Sequence, residues 1–321
     1  MMKCLHQAEF ACLRFELVLQ EGIEIDLATL LRLRRRLRSA GQYALTGRLA
    51  QERLAALFEP PLPADPVAVK RYQKAGPAFV LQPTPDLCRF YSAGDVLCLP
   101  LVLWGQVHDR LVDLLAVFQA LGVAGLRHDR GRFVLGRVQA QNSAGEWLTQ
   151  SEELTRAGVG QGCSEVPIRD LHWWLNSTER LCDGAELVFQ TPARLLSQGR
   201  PLFRPRFSTL FPFVLRRVSS LLYAHCRLEL PVEAAELCRL AQGVEERENR
   251  LSWCDWRELD ANDRSVPVGG VVGSVTLAGF ADGELEALLK IGTLCNLGKN
   301  AAYGAGSYAF ASPDNVDIPT G

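Results

Sequence analysis

The order of the predicted elements is the feature that most constrains the fold, because it is the same in both halves of the chain. Alternating and continuous apolar runs predict strands in the first half over 12–20, 78–81, 95–103 and 132–139. Apolar residues at helical spacing predict helices there over 27–38, with Asp26 as the cap, and over 50–58 and 107–121. In the second half we expect extended segments over 186–196, 240–257, 266–280 and 303–310, and helices over 207–227 and 284–295.

Each half therefore has the order β, α, β, β, α, β once insertions are set aside, and this is the ferredoxin-like plan. We predict an α+β protein of two tandem ferredoxin-like (RRM-like) βαββαβ domains, with a glycine-rich loop near the C-terminus. The predicted domains are 1–180, which carries insertions, and 181–321, which carries the glycine-rich loop. A chain of 321 residues is long enough for two domains.

Composition excludes several classes of protein. With 48% hydrophobic residues and no apolar run of about 18 residues, the chain can bury a core but has no membrane helix. The N-terminus has no long apolar stretch of the secretory kind. None of the 10 cysteines forms a Cys-x-x-Cys pair, so we expect no zinc site, no other metal or cofactor, and reduced core thiols in the cytoplasm. A net charge of −1 argues against a wholly basic surface but allows a local basic face.

The most informative motif is a glycine-rich segment between the last predicted helix and the last strand. Its candidate ligand-binding residues are Gly298, Lys299, Asn300, Gly304 and Gly306. Glycine lets a backbone approach a ligand closely, consecutive free N–H groups bind anions, and lysine adds a charge, so the segment suits phosphates. The order helix, loop, strand excludes a dinucleotide fingerprint, and no Gly-Lys-Ser/Thr follows at Walker spacing. The alternative is a glycine-rich turn without a ligand.

Arginines provide the second candidate set. Five of them lie between positions 32 and 38, and Arg34 and Arg38 share a helix face that could neutralise phosphates. Arg204 and Arg206 flank a proline and have Phe203 or Phe207 nearby to stack on a base, and Arg216 lies on the long second-half helix. The alternatives are a solvated helix face and aromatic rings that belong to the core.

Several stretches of the second half resemble one known family. They are Leu187-Val-Phe-Gln-Thr-Pro-Ala-Arg-Leu, the helix from Phe207 through Leu215-Arg-Arg-Val-Ser-Ser-Leu, Trp253-Cys-Asp-Trp, Gly269-Gly-Val-Val-Gly and the glycine-rich loop. In this order, over about residues 185–311, they resemble the CRISPR-associated RAMP superfamily, and within it the repeat-processing endoribonucleases. The first half is similar only in plan.

The resemblance implies two ferredoxin-like domains that bind CRISPR repeat RNA along their cleft and the glycine loop. It implies metal-independent cutting within each repeat, in which the 2′-hydroxyl attacks phosphorus and the 5′-oxygen leaves. Such chemistry needs a general base, a general acid and a cation. In many family members a histidine lies on or just after the first helix. The first helix of this sequence has none and is followed by Tyr43, and family members can use tyrosine beside histidine. The catalytic candidates are therefore His128, in a loop with three arginines, then His6 and Tyr43.

Three functions stay open at this point. The first is the endoribonuclease, with precursor and mature CRISPR RNA as partners. The second is a non-catalytic guide-RNA-binding subunit of an interference complex, with other CRISPR effector subunits as partners. The third is a ferredoxin-like interaction scaffold without RNA. We expect a monomer or homodimer and no membrane partner.

Overall fold

A computed structural model describes residues 2–60, 75–127, 130–150, 166–181, 183–231, 233–255, 257–259, 265–267, 269–280 and 283–311. The strands of the first half are β1 (Glu9–Leu19), β2 (Ile23–Glu24), β3 (Phe79–Leu81), β4 (Phe90–Tyr91), β5 (Val96–Trp104), β6 (Phe133–Gln141), β7 (Trp147–Gln150) and β8 (Arg169–Asp170). Its helices are α1 (Leu27–Leu31), α2 (Leu33–Ala44), α3 (Ala50–Phe58), α4 (Val107–Ala124) and α5 (Leu171–Ser177). Short 3-10 helices cover Met2–Gln7 and Pro85–Leu87.

The strands of the second half are β9 (Ala185–Ala193), β10 (Leu196–Ser197), β11 (Arg200–Pro201), β12 (Glu245–Asn249), β13 (Ser252–Cys254), β14 (Arg257–Leu259), β15 (Ser265–Pro267), β16 (Gly270–Ala278) and β17 (Tyr308–Ala311). Its helices are α6 (Phe207–Cys226), α7 (Ala234–Gln242) and α8 (Gly283–Thr293), with a 3-10 turn at Ala301–Tyr303.

Each half is built on one antiparallel sheet with the same strand order. The first sheet runs β3-β5-β1-β6-β7, with β8 paired to β1, and the second runs β12-β16-β9-β17, with β13 paired to β16. In both, the second, third, first and fourth strands of the βαββαβ unit lie side by side. The predicted α+β class with two tandem ferredoxin-like units is confirmed, whereas the domain boundary at 180 stays a prediction.

Alternating side chains of the central strands build the cores. In β1 the buried set includes Leu13, Phe15 and Leu17, each 0% exposed, because a strand turns every second side chain to the same face. Phe15 packs edge-to-face on Phe118 of α4, with ring centroids 4.9 Å apart. This contact fixes α4 over the sheet and is the geometry that aromatic pairs prefer.

Each half of the chain contributes side chains to the core of the other half. Ala302 and Tyr303, from the loop before β17, are buried in the core of the first half. In return, Phe10 and Trp104 from the first sheet are buried in the core of the second half. Core packing therefore holds the two halves together, and the loop that carries the glycine motif takes part in it.

Several boundaries differ from the sequence predictions. The first helix breaks at Arg32 and continues as α2 to Ala44, so Tyr43 lies inside the helix rather than after it. The extended segment predicted over 240–257 is wrong at its start, because α7 buries Leu237 and Ala241 four residues apart on one face. The last strand begins at Tyr308 rather than 303, since Gly304 and Gly306 adopt positive φ. The cap predicted at Asp26 is confirmed: its Oδ1 accepts from the N–H of Thr29 at 2.7 Å.

One buried histidine should make stability depend on pH. His225, on the last turn of α6, lies 2.9 Å from the carbonyl oxygen of Gly76. Burial, helped by Arg110, lowers the pKa of His225 to about 3. An unfolded histidine titrates near pH 6.5, so the stabilisation is complete above about pH 6.5 and is lost as the pH falls towards 3.

Lowering the pH from 7 to 5 should therefore destabilise the fold by about 2 kcal/mol through this group. Urea unfolding of the protein and of His225→Gln at the two pH values checks this, since a glutamine amide can also donate to Gly76. The variant should lose less stability between pH 7 and 5, whereas His172→Gln, at an exposed position, should keep the dependence. An unchanged dependence in His225→Gln would contradict the assignment.

Candidate nucleic-acid interface

The glycine-rich loop (residues 294–307) folds back on its own half of the protein. The N–H of Lys299 donates to the carbonyl of Arg194 at 2.9 Å, and that of Gly306 donates to Pro192 at 3.0 Å. The N–H of Tyr303 donates to Asn300 at 2.8 Å. The expected row of free backbone amides is therefore wrong at these positions, because β9, the residue directly after it and the loop itself already supply the acceptors.

Gly298, Gly304 and Gly306 each lie where an added side chain would clash with a neighbouring backbone or with a proline ring. A Cβ at Gly306 would lie 2.0 Å from the carbonyl oxygen of Leu297, and one at Gly298 would lie 2.6 Å from that of Arg194. A Cβ at Gly304 would lie 2.6 Å from the ring of Pro83. Their φ angles are +68°, +85° and +97°, which other residues rarely adopt. The packing of the fold therefore accounts for the presence of glycine at these three positions. Direct RNA contact by Gly298, Gly304 and Gly306 stays a prediction.

The loop also bridges to the first half of the chain. The amide nitrogen of Asn296, which is 0% exposed, donates to the carbonyl of Leu81 in β3 at 2.8 Å. Gln82, next to β3, donates to the carbonyl of Thr293 at 3.2 Å. The ring of Tyr303 packs edge-to-face on Phe79, with centroids 5.8 Å apart. These contacts fix the position of the loop relative to strand β3 of the first half.

Helix α2 meets the loop through two of the predicted residues. Nη1 of Arg34 donates to Oδ1 of Asn300 at 3.2 Å, and both Arg34 and Lys299 are exposed. Arg38 is bonded to the carboxylate of Glu59. Burial raises the pKa of Tyr303 to about 12, while the nearby charges of Arg34 and Arg38 lower it. Within the described ranges no acid forms an ion pair with Arg34 or Lys299, so both keep their charge available for an anion.

A third predicted group follows a segment that is hydrogen-bonded to the loop. Arg194, which accepts from Lys299, is followed by the β10–β11 hairpin, and the N–H of Leu202 returns to the carbonyl of Leu195 at 3.1 Å. Arg204 and Arg206 come directly after it and are exposed. We call the surface formed by α2, the glycine-rich loop and residues 194–206 the basic band.

Arg216 does not join the basic band through any contact of the described residues. Its guanidinium lies 4.8 Å from the ring centroid of Phe213, and burial lowers its pKa. Burial also lowers the pKa of the neighbouring Arg217, which is half-buried and whose Nε donates to the carbonyl of Cys295 at 3.1 Å. Sequence reasoning missed this structural role, since helical spacing alone does not show which arginine faces the loop.

The catalytic candidates do not meet in one place in the part of the chain that is described. His6 lies on the N-terminal 3-10 helix and is exposed. The centroid of its ring is 6.0 Å from that of His172. Tyr43 is 82% exposed and follows Arg34 by nine residues, which places it about 180° around α2 from Arg34. No described contact joins His6 to Tyr43 or either of them to the loop.

His128 lies outside the described residues, but the residues that flank it are placed. Arg127 and Arg130 exchange backbone hydrogen bonds of 3.0 and 3.3 Å. The side chain of Arg127 forms a 2.8 Å ion pair with Asp26, at the start of α1. The end of α1 lies against the loop, since Leu31 is 3.9 Å from a Cβ built on Gly304. The residues beside His128 and the loop therefore lie at the two ends of a helix about 7.5 Å long.

Two family models match the sequence in separate parts. Residues 187–308 match the model described as CRISPR-associated endoribonuclease Cas6. The predicted resemblance to the CRISPR repeat-processing endoribonucleases is confirmed. The Cas6 match covers nearly the whole region in which the sequence motifs were found. Residues 48–164 match a second model, described as an N-terminal domain.

Solved Cas6 structures share the fold. A product complex of Cas6 from Thermus thermophilus has a TM-score of 0.51 and 19% identity, with 94% of this chain and 99% of that chain covered. A partial Cas6-RT-Cas1–Cas2 complex has a TM-score of 0.54 and 14% identity, with 97% of this chain covered. Only 47% of that longer chain is covered, so this protein spans about half its length. No curated protein matches the sequence.

Two further features were searched among the described residues. None of their helices combines the length and apolarity needed to cross a bilayer. No group of three or more His, Cys, Asp or Glu side chains in the same ranges is arranged to hold a metal ion.

Proposed function

We propose that the protein is a CRISPR precursor-RNA endoribonuclease that binds repeat RNA along the basic band and cuts within the repeat. The observation that carries the proposal is the convergence of exposed cations from both halves at the glycine-rich loop. Arg34 reaches it from α2, Lys299 lies on it, and Arg204 follows the hairpin that begins beside it. Cations spaced along a surface neutralise successive phosphates, and their contribution to binding falls as salt rises.

The proposed reaction needs no metal. The 2′-oxygen of one nucleotide forms a bond to the adjacent phosphorus while the bond from phosphorus to the 5′-oxygen breaks. A base takes the 2′-proton and an acid gives a proton to the departing 5′-oxygen, leaving a 2′,3′-cyclic phosphate. We assign the acid–base role to His128, with His6 and Tyr43 as the other candidates. The charge that develops on the phosphorane requires a nearby cation, for which Arg34 and Lys299 are suited.

A cleavage assay with EDTA present tests the proposal. Labelled CRISPR repeat RNA is incubated with the protein, and the products are tested for a 2′,3′-cyclic end by acid and phosphatase treatment. Cleavage to cyclic ends at the same rate with and without EDTA is expected. A requirement for a divalent cation, or products that carry 3′-hydroxyl groups, would contradict the mechanism.

A specific observation favours the second candidate function, a non-catalytic guide-RNA-binding subunit. Among the described residues, no hydrogen bond or ring contact joins a histidine to the glycine-rich loop. This function predicts that the protein binds the labelled repeat RNA in a salt-sensitive way and yields no cleavage products. The partners proposed for either function are CRISPR repeat RNA and other CRISPR proteins, and the chain acts as a monomer or homodimer. A scaffold without RNA would show no binding even at low salt.

Arg34 should contribute more to RNA binding than a cation outside the basic band. Arg34→Gln should weaken binding about tenfold, because hydrogen bonds to charged groups contribute about 1.5–3 kcal/mol and 1.4 kcal/mol is a factor of ten. It should also reduce the slope of log K against log salt by about 0.7, the value for one single-strand phosphate contact.

The matched control is Arg239→Gln on α7, whose guanidinium pairs with Glu236 at 2.5 Å. Equilibrium binding at several salt concentrations measures both effects. Equal losses in the two variants, or an unchanged slope for Arg34→Gln, would show that Arg34 makes no phosphate contact.

A further inference from the structure

An aromatic side chain stands exposed on the basic band. Phe203 is 61% exposed, whereas Phe207, four residues later, is 0% exposed in the core. The ring of Phe203 packs at 65° to the half-buried Trp253, with centroids 5.8 Å apart. Trp253 lies on β13 and pairs with Val271 in β16, so the sheet supports it. Phe203 is therefore held in place on one side while much of its ring is open to solvent.

Backbone contacts fix the segment that carries Phe203. Before it, the N–H of Leu202 donates to Leu195, one residue from the Arg194 carbonyl that binds the glycine-rich loop. After it, the side-chain amide of Asn249 donates to the carbonyl of Pro205 at 3.1 Å. Phe203 thus occupies a defined position next to the loop, which lowers the entropy cost of ordering it on binding.

The charges around this ring favour an anionic partner. Arg200, Arg204 and Arg206 are exposed, and in the described part of the chain no acid forms an ion pair with any of them. Two acids on β12 have partners of their own: Glu246 accepts from the N–H of Phe207 at 2.9 Å and Glu248 pairs with Arg250 at 2.7 Å. An exposed aromatic ring among free guanidinium groups is the arrangement that binds unpaired nucleotides, whose bases stack and whose phosphates pair with the cations.

We propose that Phe203 and Trp253 form a stacking platform for an unpaired base of the bound RNA, beside the glycine-rich loop. This inference rests on the proposed function and adds to it the kind of nucleotide that the hairpin end of the basic band binds. A stacked base gives affinity with little sequence preference, because every base has a flat aromatic face. The platform therefore selects single-stranded over fully paired RNA at this position.

Binding measurements with three variants test the platform. Phe203→Leu keeps an apolar side chain but removes the ring, and it should weaken binding of single-stranded repeat RNA about 5- to 150-fold. Phe203→Trp should restore it. The matched control is Phe90→Leu, since Phe90 is 65% exposed in the first half and should have no effect. Thermal unfolding of each variant verifies that it is folded.

A scan of the RNA with single abasic sites gives a readout that leaves the protein unchanged. One abasic position should weaken binding to the protein by a factor close to that of Phe203→Leu, and the two changes combined should cost no more than either alone. Equal losses for Phe203→Leu and Phe90→Leu, or no abasic position coupled to Phe203, would overturn the platform and leave the proposed function standing. Failure of the unsubstituted protein to bind RNA at low salt would overturn both.

Discussion

Replacing His128 by alanine is expected to slow cleavage of repeat RNA by about 10²–10⁴-fold, the contribution of a positioned acid or base. Binding of the uncut RNA should change little, so that the loss appears in the single-turnover rate. The flanking residues support this assignment. Arg127 is tied to Asp26 at one end of α1, and Leu31 at the other end lies against Gly304 of the glycine-rich loop.

Single-turnover cleavage by His128→Ala, His6→Ala and His172→Ala separates the candidates. His172→Ala is the control, since that side chain is exposed and lies beside His6 rather than the basic band. If His6→Ala lost activity and His128→Ala did not, the acid–base role would move to the N-terminal 3-10 helix. Full activity in all three variants would exclude histidine as the essential group at these positions.

Replacing Gly306 by alanine is expected to destabilise the fold by about 2–5 kcal/mol. A positive φ costs a non-glycine residue about 1–2 kcal/mol, and overpacking a filled site costs about 1–3 kcal/mol. Both apply at Gly306, where φ is +68° and a Cβ would meet the Leu297 carbonyl oxygen at 2.0 Å. The loop cannot yield there without breaking the hydrogen bond from Gly306 to Pro192.

Gly199→Ala is the matched control for urea unfolding. Gly199 lies in the β10–β11 hairpin with φ of +79° and has nothing within 4 Å of its Cβ position. It shares the strain of positive φ without the clash, so it should lose only about 1–2 kcal/mol. Equal losses at Gly199 and Gly306 would mean that the loop is not packed as tightly as the structure describes.

Local sequence patterns predicted most of the secondary structure, because the spacing of apolar residues along the chain reflects which side chains a helix or strand turns to the core. The apolar spacing from Phe207 gave α6 almost to the residue, and Ala50–Phe58 agrees with α3 at both ends. Helix α7 was not predicted because it is short and buries only two of its nine side chains, while the other seven are exposed or half-buried. The glycine spacing indicated tight backbone geometry, which the structure has, but it could not show which groups would meet the loop.

The basic band could not be predicted from local sequence patterns. Arg34 and Asn300 are 266 positions apart, and only the docking of the two halves brings them together. For the same reason the sequence suggested free amides at Lys299 and Gly306, whose acceptors lie at the end of β9 and directly after it, more than 100 positions away. The exposed Phe203 and the buried Phe207 were indistinguishable by spacing, and the packing of α6 separates them.

Photo-crosslinking of bound repeat RNA, followed by mass spectrometry of the crosslinked peptides, tests the central claim most directly. If RNA lies along the basic band, crosslinks will concentrate in residues 33–44, 194–206 and 294–307, and high salt will abolish them together. Crosslinks confined to surfaces outside these three segments would contradict the account.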